Sequence, residues 1–200
     1  MRLFGVILGE GNIKVGEVMN FSLPSIMTCP GASDWCKRYC YAKRMERLKP
    51  NCRQSYRNNL HLVQNPDQFT KIMIGVLPRI LPCFRIHVSG DIFSKDYAET
   101  WKKICQAFPQ TNFWSYTRSW SVPSLLPALE ELRDESNMNL LASTDPGMPL
   151  PPPGWRTAFI EGDPRATGML CSHQEAKADS CLACGYCFRQ KSGNVIFRIH

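Results

Sequence analysis

FRIHVSGDIFSKDYAETWKKICQAFPQTNFWSYTR, Phe84 to Arg118, decides the fold. Phe84, Ile86 and Val88 alternate as the residues of a buried strand do, and the run stops at Gly90-Asp91. Tyr97, Trp101, Ile104, Cys105 and Phe108 then fall at helical spacing along one apolar face. Phe113 to Arg118 is aromatic-rich and reads as a second strand. A strand that returns through a helical crossover pairs in parallel with its successor.

The same alternation extends in both directions. Upstream, Glu17 to Leu23 reads as a strand, and Tyr56, Leu60 and Val63 mark a helix. Phe69, Met73, Val76 and Ile80 mark another, which Pro78 should kink or end. Downstream, Ser121 and Pro123 open a helix that continues through Leu125, Leu129 and Leu132. Asn139 to Thr144 is a strand ending at Asp145, Thr157 to Ile160 one ending at Gly162-Asp163, and Val195 to Ile199 a last strand. Pro146 to Gly154, with five prolines, is an extended surface loop. No internal repeat interrupts this βαβα order. The prediction is an α/β chain: a partial (β/α)6-type barrel with mostly parallel strands and Cys-rich loops. The barrel is partial because a full eightfold one needs ~250 residues, and the 200 residues are read as a single domain, 1–200.

Parallel α/β folds place their sites at the carboxyl ends of the strands. Here those ends carry Ser89, Gly90 and Asp91, then Tyr116 and Arg118, then Ser143 and Asp145, then Glu161 and Asp163. They either converge on one polar mouth or cap the turns that follow, as Asp145-Pro146 and Asp163-Pro164 suggest.

A hydrophobic share of 44% with 20% charged residues is globular composition and excludes wholesale disorder. No apolar run approaches the ~18 residues of a membrane-spanning helix. The apolar start, Met1 to Leu8, is too short for a signal peptide. The chain therefore reads as cytoplasmic, with no membrane partner. Lys37 to Arg57 holds eight basic residues against Glu46 alone. The whole net charge of +7 lies there, and the remainder balances at 16 to 16. This stretch is a solvated face offsetting thiolate charge, or a surface for nucleic acid or another anionic substrate.

Ten cysteines in a cytoplasmic chain point to metal or redox chemistry rather than disulfides. Cys29, Cys36 and Cys40 lie in an N-terminal loop, 26–42, spaced C-x6-C-x3-C. Cys171, Cys181, Cys184 and Cys187 form a C-terminal loop, 171–187, spaced C-x9-C-x2-C-x2-C. The two x2 spacings open the bacterial ferredoxin pattern, with Cys171 as fourth ligand. Zinc is the alternative metal. Three N-terminal thiolates leave one iron of a [4Fe-4S] cluster open, whereas Cys52 as fourth ligand would close it. Cys83 and Cys105 read as core.

NFSLPSIMTCPGASDWCKRYCYA, Asn20 to Ala42, resembles the phage-associated gene product 88 family. So do RIHVSGDIFS (Arg85 to Ser94), FWSYTRSW (Phe113 to Trp120), the turn Ser143-Thr144-Asp145 and the C-terminal cysteines. The resemblance implies a phage or prophage gene acting in the host cytoplasm. The chain is also similar, more loosely, to radical S-adenosylmethionine enzymes, which set a three-Cys loop behind the first strand of a partial barrel. Their spacing is C-x3-C-x2-C, shorter than here. That likeness implies one or two [4Fe-4S] clusters, S-adenosylmethionine and an electron donor. Ser89-Gly90-Asp91 would stand for the segment that holds the cofactor's amino group, with Tyr116, Arg118 and Ser143 lining its pocket. The implied function is a radical S-adenosylmethionine-like enzyme of unknown substrate. The alternatives are a metal-stabilised nucleic-acid-binding phage protein without catalysis and a two-cluster redox protein.

Overall fold

The computed structural model describes residues 2–3, 5–11 and 16–199; Met1 and Phe4 of the apolar start lie outside them. A short antiparallel pair, β1 (Arg2–Leu3) and β2 (Val6–Ile7), comes first. Helices α1 (Asp34–Arg38), α2 (Tyr41–Leu48), α3 (Pro50–Val63) and α4 (Pro66–Val76) follow. Strand β3 (Cys83–Arg85), helix α5 (Lys95–Ala107), strand β4 (Asn112–Thr117), helix α6 (Leu126–Arg133) and strand β5 (Met138–Ser143) make the repeating centre. The chain closes with β6 (Thr157–Ile160), β7 (Met169–Leu170), two one-turn helices α7 (Cys181–Cys184) and α8 (Tyr186–Arg189), and β8 (Val195–Phe197).

Six strands form one sheet in the order β3-β4-β5-β6-β8-β7, every pairing parallel, curled into a half-barrel. The period of two along each strand divides the sheet faces. Phe84, Phe113, Leu140 and Ala142 point outward into the main core with Phe69 of α4, Trp101 of α5 and Leu129 of α6. Trp101 centres that layer, with ring centroids 5.7 Å from Phe69, 5.9 Å from Phe84 and 5.8 Å from Phe21. Trp114, Leu141, Ala158, Cys171 and Val195 pack on the inner side. The outer face is covered by helices, and the inner face packs only in part, since Arg85, Tyr116 and Ser143 on it border a cavity.

Several boundaries differ from the sequence reading. The strand expected over Glu17 to Leu23 reduces to bridges at Asn20, antiparallel to Gly9 and parallel to Arg85. Its neighbours still bond the β3 region, since the Phe21 and Leu23 N–H groups donate to the Arg85 and Ser89 carbonyls. The strand expected through Val88 stops at Arg85, because a bend at Ile86 turns His87 into the helix layer, where its Nε2 lies 2.9 Å from the Tyr97 hydroxyl. Burial there pushes the imidazole pKa down to about 3. Helix α4 ends at Val76, two residues before Pro78. Ser121 does not open α6. It closes a 3-10 turn at Ser119–Ser121, and α6 starts at Leu126 with Pro127 in its first turn.

Candidate functional site

The N-terminal Cys loop is pressed onto the carboxyl ends of β3 and β4 by close backbone packing. Gly90, at φ +85°, leaves no room for a Cβ: one would stand 2.7 Å from the Leu23 Cβ and from the Thr28 hydroxyl. A Cβ on Gly31 would meet the Arg118 carbonyl oxygen at 2.0 Å. Ile26, a β-branched residue at φ +63°, sits in the turn before Cys29 and marks local strain in the loop. Ser33 then caps α1 by accepting from the Cys36 N–H at 3.0 Å. Cys40 caps α2 in the same way, its Sγ accepting from the Lys43 N–H at 3.4 Å.

Charged groups fix this loop from beneath. The Ser33 hydroxyl donates to Asp145 Oδ2 at 2.6 Å, and the Arg118 guanidinium pairs with the same oxygen. The Gly147 N–H donates to Asp145 Oδ1 at 3.0 Å. Burial pushes the Asp145 carboxyl up, but the Ser33 and Arg118 donors outweigh it and hold the group below the usual carboxylate range. Asp163 pairs likewise with Arg165 and is also held low by that guanidinium. Both aspartates thus cap their turns and bind arginine at once. Asp91 is buried, and the N–H groups of Ile92, Arg118 and Ser119 donate to its carboxylate at 2.7, 2.8 and 3.2 Å. Most of its acceptor capacity holds the β4 corner, so Asp91 is a positioning residue.

The C-terminal cysteines are seated from the other end of the half-barrel. Ser180 caps α7 through the Ala183 N–H, and Gly185 in the left-handed region ends it. Arg156, at the start of β6, donates to the carbonyls of Cys187 at 3.4 Å and Gly193 at 2.8 Å. Asn139 donates to the Phe188 carbonyl at 2.8 Å and Lys191 to that of Met138 at 2.7 Å. Cys171 joins the β8 ladder by donating to the Ile196 carbonyl at 2.9 Å.

Between the two loops lies a cavity of about 310 Å³. Cys29, Cys36, Cys40, Cys171, Cys181, Cys184 and Cys187 all line it. So do Ser89, Gly90, Asp91, Tyr116, Arg118 and Ser143. The other three cysteines are elsewhere. Cys105 is in the outer core, Cys83 is buried beside the inner Trp114, and Cys52 lines a neighbouring cavity of about 380 Å³ with Tyr41, Tyr56 and Lys49. Cys83 nevertheless packs with Cys181 and Cys187, a proximity that its reading as core did not anticipate.

Burial pushes the Cys29 thiol well up, and the charges of Asp91, Cys36 and Cys40 add to it. Burial also raises Cys36 against the pull of Arg118. Cys187 is raised to about 11 by burial, although the Tyr116 hydroxyl donates to its sulfur. These thiols keep their protons at neutral pH, and a bound cation would reverse that balance. Among the described residues no three His, Cys, Asp or Glu side chains stand close enough together to hold a metal ion. Arg85 was missed by sequence reading. It lies on the inner face, its guanidinium over the Tyr116 ring at 5.2 Å, and it borders the cavity. Its place between outward-facing Phe84 and Ile86 was the signal.

A family model described as "Gene product 88" matches residues 8–149, which spans the Cys loop, the β3 to β5 repeats and the Arg118–Asp145 pair. The chain belongs to the gene product 88 family. Two curated members are the "Gene 88 protein" of Mycobacterium phage D29 and that of Mycobacterium phage L5. Each is 27% identical to this chain, over 94% of it and 89% of the relative. No solved structure matches. The gene product 88 match ends before the C-terminal cysteines, while the two phage relatives cover nearly the whole chain. No helix among the described residues of this family member is long and apolar enough to cross a membrane.

Proposed function

We propose that this gene product 88 protein is an iron–sulfur enzyme of the radical S-adenosylmethionine type, with its first cluster on Cys29, Cys36 and Cys40. One observation carries the reading. The seven cysteines singled out by spacing are the seven that line a single cavity in a half-barrel of parallel strands, with the 26–42 loop at the strands' carboxyl ends. Thiols gathered merely as small core residues would have no reason to share a cavity wall.

The donor set fits the group in kind, since soft thiolates are the ligands that iron–sulfur clusters take. Ligation calls for the 26–42 loop to close on itself, with Cys36 on α1 and Cys40 at the cap of α2. The cluster supplies one-electron reducing power when bound. The chain's own residues supply the rest. Asp91 holds the β4 corner, Arg118 and Asp145 anchor the Cys36 helix, Ser89 and Ser143 offer hydroxyls to a polar cofactor, and Tyr116 lines the pocket with its hydroxyl on Cys187. The cavity volume lies at the small end of the ~300–1,000 Å³ usual for ligand sites. The C-terminal cysteines hold a second centre that bounds the substrate side.

Anaerobic reconstitution tests this directly. Iron and sulfide should load in equal amounts, and the paramagnetic resonance spectrum of the reduced protein should shift when S-adenosylmethionine is added. Zinc in place of iron, or a spectrum indifferent to S-adenosylmethionine, overturns the enzyme reading.

A further inference from the structure

Among the described residues the basic stretch beside the Cys loop makes few contacts inside the molecule, the Arg38 guanidinium lying over the Tyr39 ring at 5.7 Å. Lys37, Arg38, Lys43, Arg44, Arg47, Lys49, Arg53 and Arg57 are all exposed on α1, α2, α3 and their joins. None of them lines the cavity that holds the seven cysteines, and only Lys49 reaches the neighbouring one. They are therefore not placed to offset thiolate charge. Among the described residues only Lys37 has an acidic partner, Asp34 at 3.6 Å, and that pair is solvent-exposed. Glu46, the one acid in the stretch, turns away from this face: it accepts from the Ser25 N–H at 2.7 Å and lies 3.4 Å from the Ser89 hydroxyl. Lys43 with Arg47, and Arg53 with Arg57, are like-charge pairs one helical turn apart, which destabilise a helix unless an anion lies over them.

Aromatic rings stand at the edge of the same face. Tyr39 is 46% exposed and Tyr41 47%, and both line the cysteine cavity. Tyr41 also lines the second cavity, together with Lys49 and Tyr56. A positive track with flat rings along it matches a flexible polyanion that carries flat bases. We propose that α1 to α3 bind single-stranded nucleic acid, with Tyr39 and Tyr41 stacking bases at the cavity mouth. That a nucleotide of this strand is the substrate rests on the function proposed above; the binding itself does not.

Fluorescence anisotropy of a labelled oligothymidylate about 20 nucleotides long, in about 50 to 200 mM salt, tests the proposal. Affinity should fall linearly on a logarithmic plot as salt rises. Replacing Arg44, Arg47 and Arg53 together by Gln should lower the slope by about 2, since each lost phosphate contact contributes roughly 0.7. Tyr39→Ala with Tyr41→Ala should weaken binding about thirtyfold or more and leave the slope unchanged. Circular dichroism checks that these surface variants fold. Absence of binding at the lowest salt overturns the proposal. So does polyglutamate of equal charge competing as well as the oligonucleotide, or an unaffected tyrosine variant. Iron measured on the same samples separates the two readings: iron without binding sinks the strand, and binding without iron sinks the cluster.

Discussion

Asp145→Asn is expected to destabilise the protein by about 3 kcal/mol, measured by chemical denaturation at neutral pH. The Asp145 side chain is fully buried and that of Arg118 is 9% exposed, so neutralising the acid strands a guanidinium away from water. The figure lies at the low end for a broken buried pair, because Asn keeps an oxygen for the Gly147 N–H. The parent should show the same linkage on acidification. A carboxyl held below its unfolded value of about 3.9 contributes stability that is complete above that pH and is lost as pH falls through the folded value. Asp163 adds to the loss in the same direction. The midpoint should therefore begin to fall below about pH 6.5, where the unfolded chain protonates His87 and the folded chain, which holds that imidazole at about 3, does not, and the carboxylate loss should add to it below about pH 4, less steeply in Asp145→Asn. Arg118 and Asp145 also carry Ser33, the cap of the Cys36 helix, so the variant should load iron poorly while still folded. A change under about 1 kcal/mol would mean that the pair is solvated and the loop is held by Gly31 and Gly90 packing alone.

The parts of this site differ in how far local sequence could show them. Parallel strands with helical crossovers were legible because Phe84, Phe113 and Leu140 face an apolar layer, and such positions repeat with the period of the element. Cysteine spacing was legible because ligands on one loop must lie a few residues apart. The Ser33–Asp145 bond joins residues 112 apart, and no local pattern announces it. Arg156 is similar, since its partners are backbone carbonyls that any residue could supply. The bend at Ile86 was hidden for another reason. Val88 continued the apolar alternation, but it borders both cavities while His87 takes the place in the core. The inner face of a half-barrel accepts Arg85 and Tyr116 as readily as Val195, so polarity there marks a cavity and not a strand edge.

Cys36→Ser is expected to remove about half of the iron from a chain loaded with two clusters, and Cys52→Ser none of it. Cys36 shares the cavity with Cys29 and Cys40, and beside burial the charges of Cys36 and Cys40 push the Cys29 thiol up while that of Cys40 pushes up Cys36. Cys52 points into the neighbouring cavity, where its nearest charged influence falls on Tyr56, pushed up to about 12 chiefly by burial. Cys52 sits on α3, and Asn59 of that helix ties it to β2 through bonds of 2.9 and 2.8 Å. Cys184→Ser should remove the other half of the iron and lower the melting temperature by about 10 °C, because ligand binding that forms only in the folded chain is folding free energy. Cys36→Ser should move the melting temperature less, since α1 keeps its Ser33 cap and Asp145 anchor without the metal. Iron lost from Cys52→Ser would show a closed four-Cys site, with no coordination position left for S-adenosylmethionine. Iron retained in Cys36→Ser would remove the N-terminal loop from the metal chemistry altogether and leave Cys171, Cys181, Cys184 and Cys187 as the sole centre.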